Sequence, residues 1–247
     1  MPESVQDMKP RRVTEEFDRA ALSYDRLVTV NPGYHAHLRR SARRLRLPDH
    51  GAGLRLLDLG CGTGASTAAL LAVYPEAAIT AVDASEGMLA VARAKPWPPG
   101  VRFVHARAEE LTVEELGGPF DAALAAYLLR NCPDPDTVLA TIAGLLRPAG
   151  RLALHEYSVA DSALARAVWT LVCATVIIPA GRLLTGRADL YRYLWRSVME
   201  FDGAARLRRR MSVAGYRDVR TAPMTGWQRG IVHTFLGRRP TTAEEGR

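Results

Sequence analysis

The chain has little with which to bind a metal or cross-link itself. Its 247 residues include three cysteines, Cys61, Cys132 and Cys173. They lie far apart, in no spacing that suits a zinc site or a disulfide framework, so no metal is expected and a reducing cytoplasm is the expected compartment. Lysine is nearly missing. Of 33 basic residues only Lys9 and Lys95 are lysines, so the net charge of +7 is carried by arginine. Two arginine clusters, RRSARRLR (39–46) and RLRRR (206–210), read first as solvated helix faces and second as surfaces for an anionic membrane. Aromatic residues make up 7% of the chain and are not interleaved with those arginines, as a stacking platform for nucleic acid would require. The opening MPESVQDMKPRR has no apolar stretch of the kind an export signal needs. The longest uncharged run, Ala167 to Gly181, has fifteen residues, too few to span a bilayer. It is too apolar for a solvated loop and is expected in a core or a cap.

What the chain does have is a strand that breaks into glycines. In LRLLDLGCGTG (54–64), Leu54, Leu56, Leu57 and Leu59 compose a strand buried on both faces. Gly60, Gly62 and Gly64 follow at alternate positions, and then a helix-forming stretch begins. Glycines let the backbone turn tightly and approach a ligand, while the helix start offers unpaired N–H groups. Cys61 reads as small filler in this turn. Asp58, at the strand end, suits either an ammonium group or a network that holds the turn. AAITAVDAS (77–85) reads as a second strand ending in Asp83, whose carboxylate can accept both hydroxyls of a ribose. The competing reading of Asp83 is a helix cap, since Ser85 and Glu86 open the next helix.

Elements then alternate. Val13 to Leu27 has helical spacing, and 31–45 is a turn followed by a strongly basic helix. VRFVHARAEEL (101–111) is a third strand and PFDAALAAYLLRN (119–131) a fourth. A helix is expected over 137–146 and a fifth strand over 148–158. Residues 161–201 leave the sheet pattern as a long apolar helix, a break at Pro179-x-Gly181 and an aromatic stretch. A basic helix over 202–214 and two closing strands complete the chain. In open α/β sheets ligands bind outside the carboxyl ends of the strands. That places Tyr127, Arg130 and Asn131, directly after the fourth strand, where substrate chemistry would sit.

The motif D-x-G-C-G-T-G (58–64), followed by V-D-x-S-x-x-M-L (82–89), resembles the class I S-adenosylmethionine (SAM) methyltransferases. Within that class, most of the chain resembles the C-methyltransferases of ubiquinone and menaquinone biosynthesis. The narrower resemblance rests on F-D-x-x-A-x-x-Y-D (17–25), Gly33-x-His35, the Arg130-Asn131 pair, Y-x-Y-L-x-x-S (191–197) and Gly230-Ile231-Val232. It implies a single α/β, Rossmann-like domain over 1–247. That domain would have a mostly parallel seven-stranded sheet, helices on both faces, a helical segment at 1–50 and a cap at 161–201. It implies SAM as cofactor, held by Tyr24, Asp58, Gly60, Gly62, Thr63, Gly64, Asp83, Ala84, Met88, Arg107, Ala108 and Ala126. It also implies an acceptor beside Tyr127, Asn131, Tyr193 and Ser197. The chain departs from the family at several points. Arg107 stands where the family has Asp or Asn and cannot accept from the adenine amino group. Ala126 replaces a serine, Arg196 a glutamate, Cys173-Ala174-Thr175 a set of aromatics, and Phe235 a histidine, with His233 two residues earlier.

Methyl transfer from a sulfonium is an in-line displacement, so the enzyme mainly aligns the reactants and excludes water. Methylating a ring carbon also needs electron density there, which a reduced quinone supplies once a phenol proton is lost. Arg130 stays protonated and can hold the phenolate oxygen, whereas His155, His233 and Glu156 are the candidate bases. A lone histidine is more often structural than catalytic. The expected partner is a small aromatic or prenylated quinol, with peripheral contact at the inner face of a membrane, no nucleic acid, and a homodimer left open. The rival readings are an O- or N-methyltransferase for a small aromatic natural product and a SAM-binding module without turnover.

Overall fold

In the computed structural model, residues 33–185 and 189–245 are described. The expected Tyr24 contact and the 13–27 helix lie outside them. Helix α1 (Tyr34–Arg44) leads into β1 (Arg55–Leu59), α2 (Ala65–Val73), β2 (Ala78–Asp83), α3 (Glu86–Arg93) and β3 (Val101–His105). Then come β4 (Phe120–Ala126), α4 (Pro135–Leu145) and β5 (Leu146–Tyr157). Seven strands form one sheet in the order β3-β2-β1-β4-β5-β7-β6, where β6 is Arg217–Pro223 and β7 is Val232–Arg238. β7 pairs antiparallel with both neighbours and the remaining pairs are parallel. The strand order reverses between β1 and β4, so the crevice expected to take a ligand opens at their carboxyl ends.

β1 is central because its leucines have two apolar layers to fill. Leu57 and Leu59 pack on one face with Ala123, Leu154 and Phe235, while Leu56 packs on the other with Leu70, Ile79 and Leu124. Polar side chains cap the starts of α3 and α4. The Ser85 hydroxyl accepts from Met88 N at 3.1 Å to open α3. Asp134 accepts from Asp136 N and Thr137 N and, with Pro135 in the first turn, starts α4 two residues before the sequence pattern suggests.

The segment after β5 differs most from expectation. α5 (Ala163–Val172) passes through a π-helical turn (Cys173–Ile177) directly into α6 (Ile178–Thr185), with no break at Pro179. A proline inside a helix removes one N–H and crowds the carbonyl four residues back. The widened turn immediately before it accommodates both effects. The resulting helix, Ala163–Leu183, has 21 residues and by length and composition could cross a membrane. The fifteen-residue limit read from the uncharged run is thereby corrected: Arg166 and Arg182 interrupt the run, not the helix. Its inner stripe, Ala165, Trp169 and Cys173, is buried. α7 (Asp189–Glu200) lies against it, and Gly181 is needed there because a Cβ would stand 2.1 Å from the Tyr191 ring. α8 (Ala204–Val213) and a short α9 (Thr242–Glu245) complete the α-helices among the described residues.

The basic helices are less solvated than their sequences suggest. Arg44 of α1 donates to the carbonyls of Ala222 and Pro223 at 2.8 Å and to the Thr234 hydroxyl at 2.7 Å, and Arg40 reaches the Thr225 hydroxyl. In α8, Arg210 bonds to Asp202 and to Asp136, and Arg206 pairs with Asp202. Arg44 ties α1 to the sheet, and Arg210 ties α8 to α4.

Candidate functional site

A cavity opens at the carboxyl ends of β1, β2 and β4. Gly60, Gly62, Asp83, Ala84, Met88, Arg107, Ala108, Ala126, Tyr127, Arg130 and Asn131 all line it. Gly62 has φ 53° and nothing within 4 Å of where a Cβ would project, so the missing side chain leaves space for a ligand. The Asp83 carboxylate accepts from Gly62 N at 2.8 Å and from Ser85 N at 2.9 Å. These bonds hold it rigidly at the cavity wall. Ser85, not Asp83, caps the following helix, so the capping alternative falls away. A carboxylate fixed beside an open glycine turn, with the buried Met88 alongside, fits a nucleoside whose ribose diol donates to Asp83.

Asp58, Thr63 and Gly64 do not line this cavity. Asp58 is fully buried, and one carboxylate oxygen accepts from the hydroxyls of Ser66 at 2.9 Å and Thr67 at 2.6 Å. Burial raises its pKa to about 7, opposed by those two hydrogen bonds. Of its two sequence readings, the network that holds the turn is the one formed. The Thr63 carbonyl accepts from Lys95 Nζ at 2.7 Å, and Gly64 backs onto Trp97. These three shape the cradle from behind.

On the β4 side, Tyr127 takes a left-handed backbone conformation, φ 57°, uncommon for a residue with a side chain. The turn aims its carbonyl at two neighbours, accepting from Arg130 Nη1 at 2.7 Å and from Asn131 Nδ2 at 3.0 Å. Arg130 also pairs with Glu156 at 3.0 Å, both side chains nearly enclosed. Burial pushes the Glu156 carboxyl up, and the adjacent Arg130 charge pulls it down. The guanidinium stands 5.4 Å from the ring centres of both Tyr127 and Tyr157. The Asn131 carbonyl oxygen accepts from the Tyr193 hydroxyl at 3.1 Å, which joins the cap to the strand end. The predicted substrate residues Tyr127, Asn131 and Tyr193 are therefore brought together.

His155, His233 and Ser197 are not. His155 is fully buried behind Tyr127, with Nε2 2.9 Å from the Tyr127 hydroxyl and Nδ1 2.8 Å from the Ser41 hydroxyl. Burial lowers its pKa to about 3, with His37, Arg44, Arg130 and His233 adding in the same direction. A histidine so placed stays neutral and does not face the cavity, so its assignment as a base is corrected to a hydrogen-bonding support. His233, opposite Glu156 in the β5–β7 register, does not line the cavity and is lowered by burial first. The Ser197 hydroxyl bonds back to the Leu194 carbonyl at 3.0 Å within its own helix. Sequence places these residues near the site along the chain but cannot say which side of a strand or helix faces it.

Two features went unread in the sequence. Glu109 lines the cavity and accepts from Arg107 Nε at 2.9 Å, so an acceptor lies two residues beyond the arginine that lacks one. The acidic pair Glu109-Glu110 was the available signal. The second is an aromatic wall: Tyr34 stacks on Tyr127 at 5.8 Å, Tyr127 meets Tyr157 at 4.8 Å, and Tyr157 meets Trp169 at 4.7 Å. It runs from α1 to the cap through residues up to 135 positions apart, which no local pattern reveals.

Residues 5–239 match the profile of the ubiE/COQ5 methyltransferase family. A demethylmenaquinone methyltransferase of Clavibacter sepedonicus is 34% identical over 234 residues, covering 94% of this chain and 92% of that protein. A ubiquinone/menaquinone biosynthesis C-methyltransferase UbiE of Azotobacter vinelandii is 33% identical, covering 97% and 93%. Among solved structures, magnesium protoporphyrin IX methyltransferase of Synechocystis with bound S-adenosylhomocysteine aligns with a TM-score of 0.65 at 17% identity, covering 94% and 100%. A SAM-dependent methyltransferase of Thermotoga maritima aligns at 0.63 and 20% identity, covering 92% and 99%. At those identities the structural likeness shows the fold.

Proposed function

The chain belongs to the ubiE/COQ5 methyltransferase family and is a SAM-dependent methyltransferase; we propose that its acceptor is a reduced, prenylated quinone, methylated on a ring carbon. The observation that carries this reading is Arg130, fixed by Glu156 and the Tyr127 carbonyl beneath the aromatic wall. SAM supplies an electrophilic methyl group in the glycine and Asp83 half of the cavity. The other half has to hold an electron-rich ring in line with it. A guanidinium that stays charged stabilises a phenolate oxygen and lowers the phenol's pKa. The phenolate then directs electron density to the neighbouring ring carbon. With SAM bound, the new carbon–carbon bond would form as the sulfur–carbon bond breaks, neutral S-adenosylhomocysteine would leave, and the ring proton would pass to solvent, which restores aromaticity. Tyr127 offers a face for the ring, and Tyr34 and Tyr157, packed against it, help exclude water.

In this reading Glu109 accepts from the adenine amino group in place of position 107, and Tyr193 with Asn131 closes the acceptor side. The chain works as one methyltransferase unit in the cytoplasm, meeting its lipid acceptor at the membrane's inner face. The names of the curated relatives support the quinol class. The test is incubation of purified protein and labelled SAM with demethylated prenyl naphthoquinol, prenyl benzoquinol and a small phenol. We expect label on a ring carbon of a prenylated quinol. Label on oxygen or nitrogen of the small phenol alone would replace this reading with the natural-product one. Arg130→Lys keeps the charge but loses the planar fork. It should lower kcat and leave SAM affinity intact; an unchanged kcat would make Arg130 purely structural.

A further inference from the structure

The helix Ala163–Leu183 has two faces with different fates. Its inner stripe is closed off, with Trp169 and Cys173 fully buried. Its outer face is apolar and bare: Leu164 is 75% exposed, Leu171 62%, Val176 58% and Leu183 87%. Leu164 and Leu171, and again Val176 and Leu183, are seven residues apart, or two helical turns. Each pair therefore stands on one side of the rod. Four of the six exposed large apolar residues among the described ones lie on this helix. A helix with a buried stripe packed on the fold cannot leave it to cross a bilayer. It can lie flat at one.

We propose that this outer face docks in the headgroup region of an anionic lipid bilayer, with the helix parallel to the surface. The charge pattern selects that occupant. Between Asp161 and Asp189 the sequence has no carboxylate, and its ionisable side chains other than Cys173 are Arg166, Arg182 and Arg187. Arg166 and Arg182 are exposed near the two ends of the apolar face. Long arginine stems can lie along an apolar surface while their heads reach lipid phosphates. A second copy of this chain is a poorer fit. Antiparallel packing of two such helices brings Arg166 toward Arg182, and parallel packing brings each arginine toward itself, with no carboxylate on the helix to offset either.

The inference rests on and deepens the quinol reading, because the inner face of the same helix is linked to the site through two ring contacts. Trp169 contacts Tyr157, which contacts the cavity-lining Tyr127. A protein seated this way would hold its acceptor pocket at the surface where a prenylated quinol resides. The surface differs from the arginine clusters of α1 and α8, several of whose arginines are held by partners within the fold.

The test is sedimentation of the full chain with vesicles of equal phosphatidylglycerol and phosphatidylcholine, compared with phosphatidylcholine alone. The wild type should partition to the anionic vesicles and be released by salt. Leu164→Gln/Leu171→Gln/Leu183→Gln, all at exposed positions, should lower partitioning about tenfold or more, equivalent to ~1.4 kcal/mol. Its turnover of a water-soluble, tailless quinol should be unchanged, while turnover of vesicle-embedded quinol falls. Arg166→Gln/Arg182→Gln should reduce the salt dependence. Wild-type partitioning retained by the triple variant would overturn the proposal, as would absence of wild-type binding. A wild-type dimer that the triple variant dissociates, without vesicle binding, would make the face an interface between copies. Docking without methylation of any quinol would leave this proposal standing and remove the quinol reading. Methylation without docking would do the reverse.

Discussion

Asp83 has two duties, and they can be separated. Its oxygens fix Gly62 N and Ser85 N, and the carboxylate also faces the cavity. Asp83→Ala should weaken SAM binding by about 1.5–3 kcal/mol, the range for a hydrogen bond to a charged group. Calorimetry that returned the wild-type affinity would remove Asp83 from the cofactor site. His155 gives a prediction of a different kind. Its folded pKa, about 3, lies below the ordinary histidine value of 6.5. The native state therefore favours the neutral ring. The corresponding stability is present above pH 6.5 and is lost as pH falls toward 3. In urea titrations across that window, His155→Gln should lose less stability on acidification than the wild type; equal losses would mean that His155 does not carry the effect. Above pH 6.5 Tyr127→Phe, which strips His155 Nε2 of its partner, should cost about 1–3 kcal/mol. Both variants should keep a pH–rate profile without a histidine limb, because His155 does not face the cavity.

At the scale of elements, the largest side chain between the cap and the sheet is Trp169. Trp169 of α5 is fully buried and packs against Tyr157 at the end of β5. Trp195 of α7 donates to the Thr170 hydroxyl at 3.1 Å, so α5 and α7 form a unit around that anchor. Trp169→Ala should destabilise the protein by about 3–5 kcal/mol through the cavity left behind. The damage should be uneven. Acceptor KM should rise severalfold while SAM affinity holds, since Gly62, Asp83 and Met88 belong to the strands and helix on the other side of the crevice. Parallel loss of both would show that the cap and the cofactor cradle are not separable.

For the whole molecule, the arrangement makes a prediction about length. The pocket opens at the sheet's carboxyl edge, the cap joins its rim through the Tyr193–Asn131 bond, and in the quinol reading a prenyl tail runs out past that cap. Each buried methylene adds about 0.8 kcal/mol, so KM should fall with tail length until the groove is filled. Equal efficiency on tailless and prenylated quinols would count against a lipid acceptor. The cofactor half of the molecule was legible in the sequence because it is local: strand, glycine turn and helix are contiguous from Leu54 to Val73, and Asp83 ends the next strand. Backbone conformation and short-range hydrogen bonding determine such a unit, and residue type reports both directly. The same locality put Arg130 and Asn131 at the end of β4. What only the tertiary structure decided depends on which way a side chain points and on what arrives from elsewhere. His155 and Glu156 are adjacent in sequence, yet successive residues of a strand face opposite sides. One turned inward to Tyr127 and Ser41, the other to Arg130. The apolar run after residue 161 announced burial, but a helix buries only the stripe its neighbours cover. The packing of α7 and β5 left the opposite face to solvent.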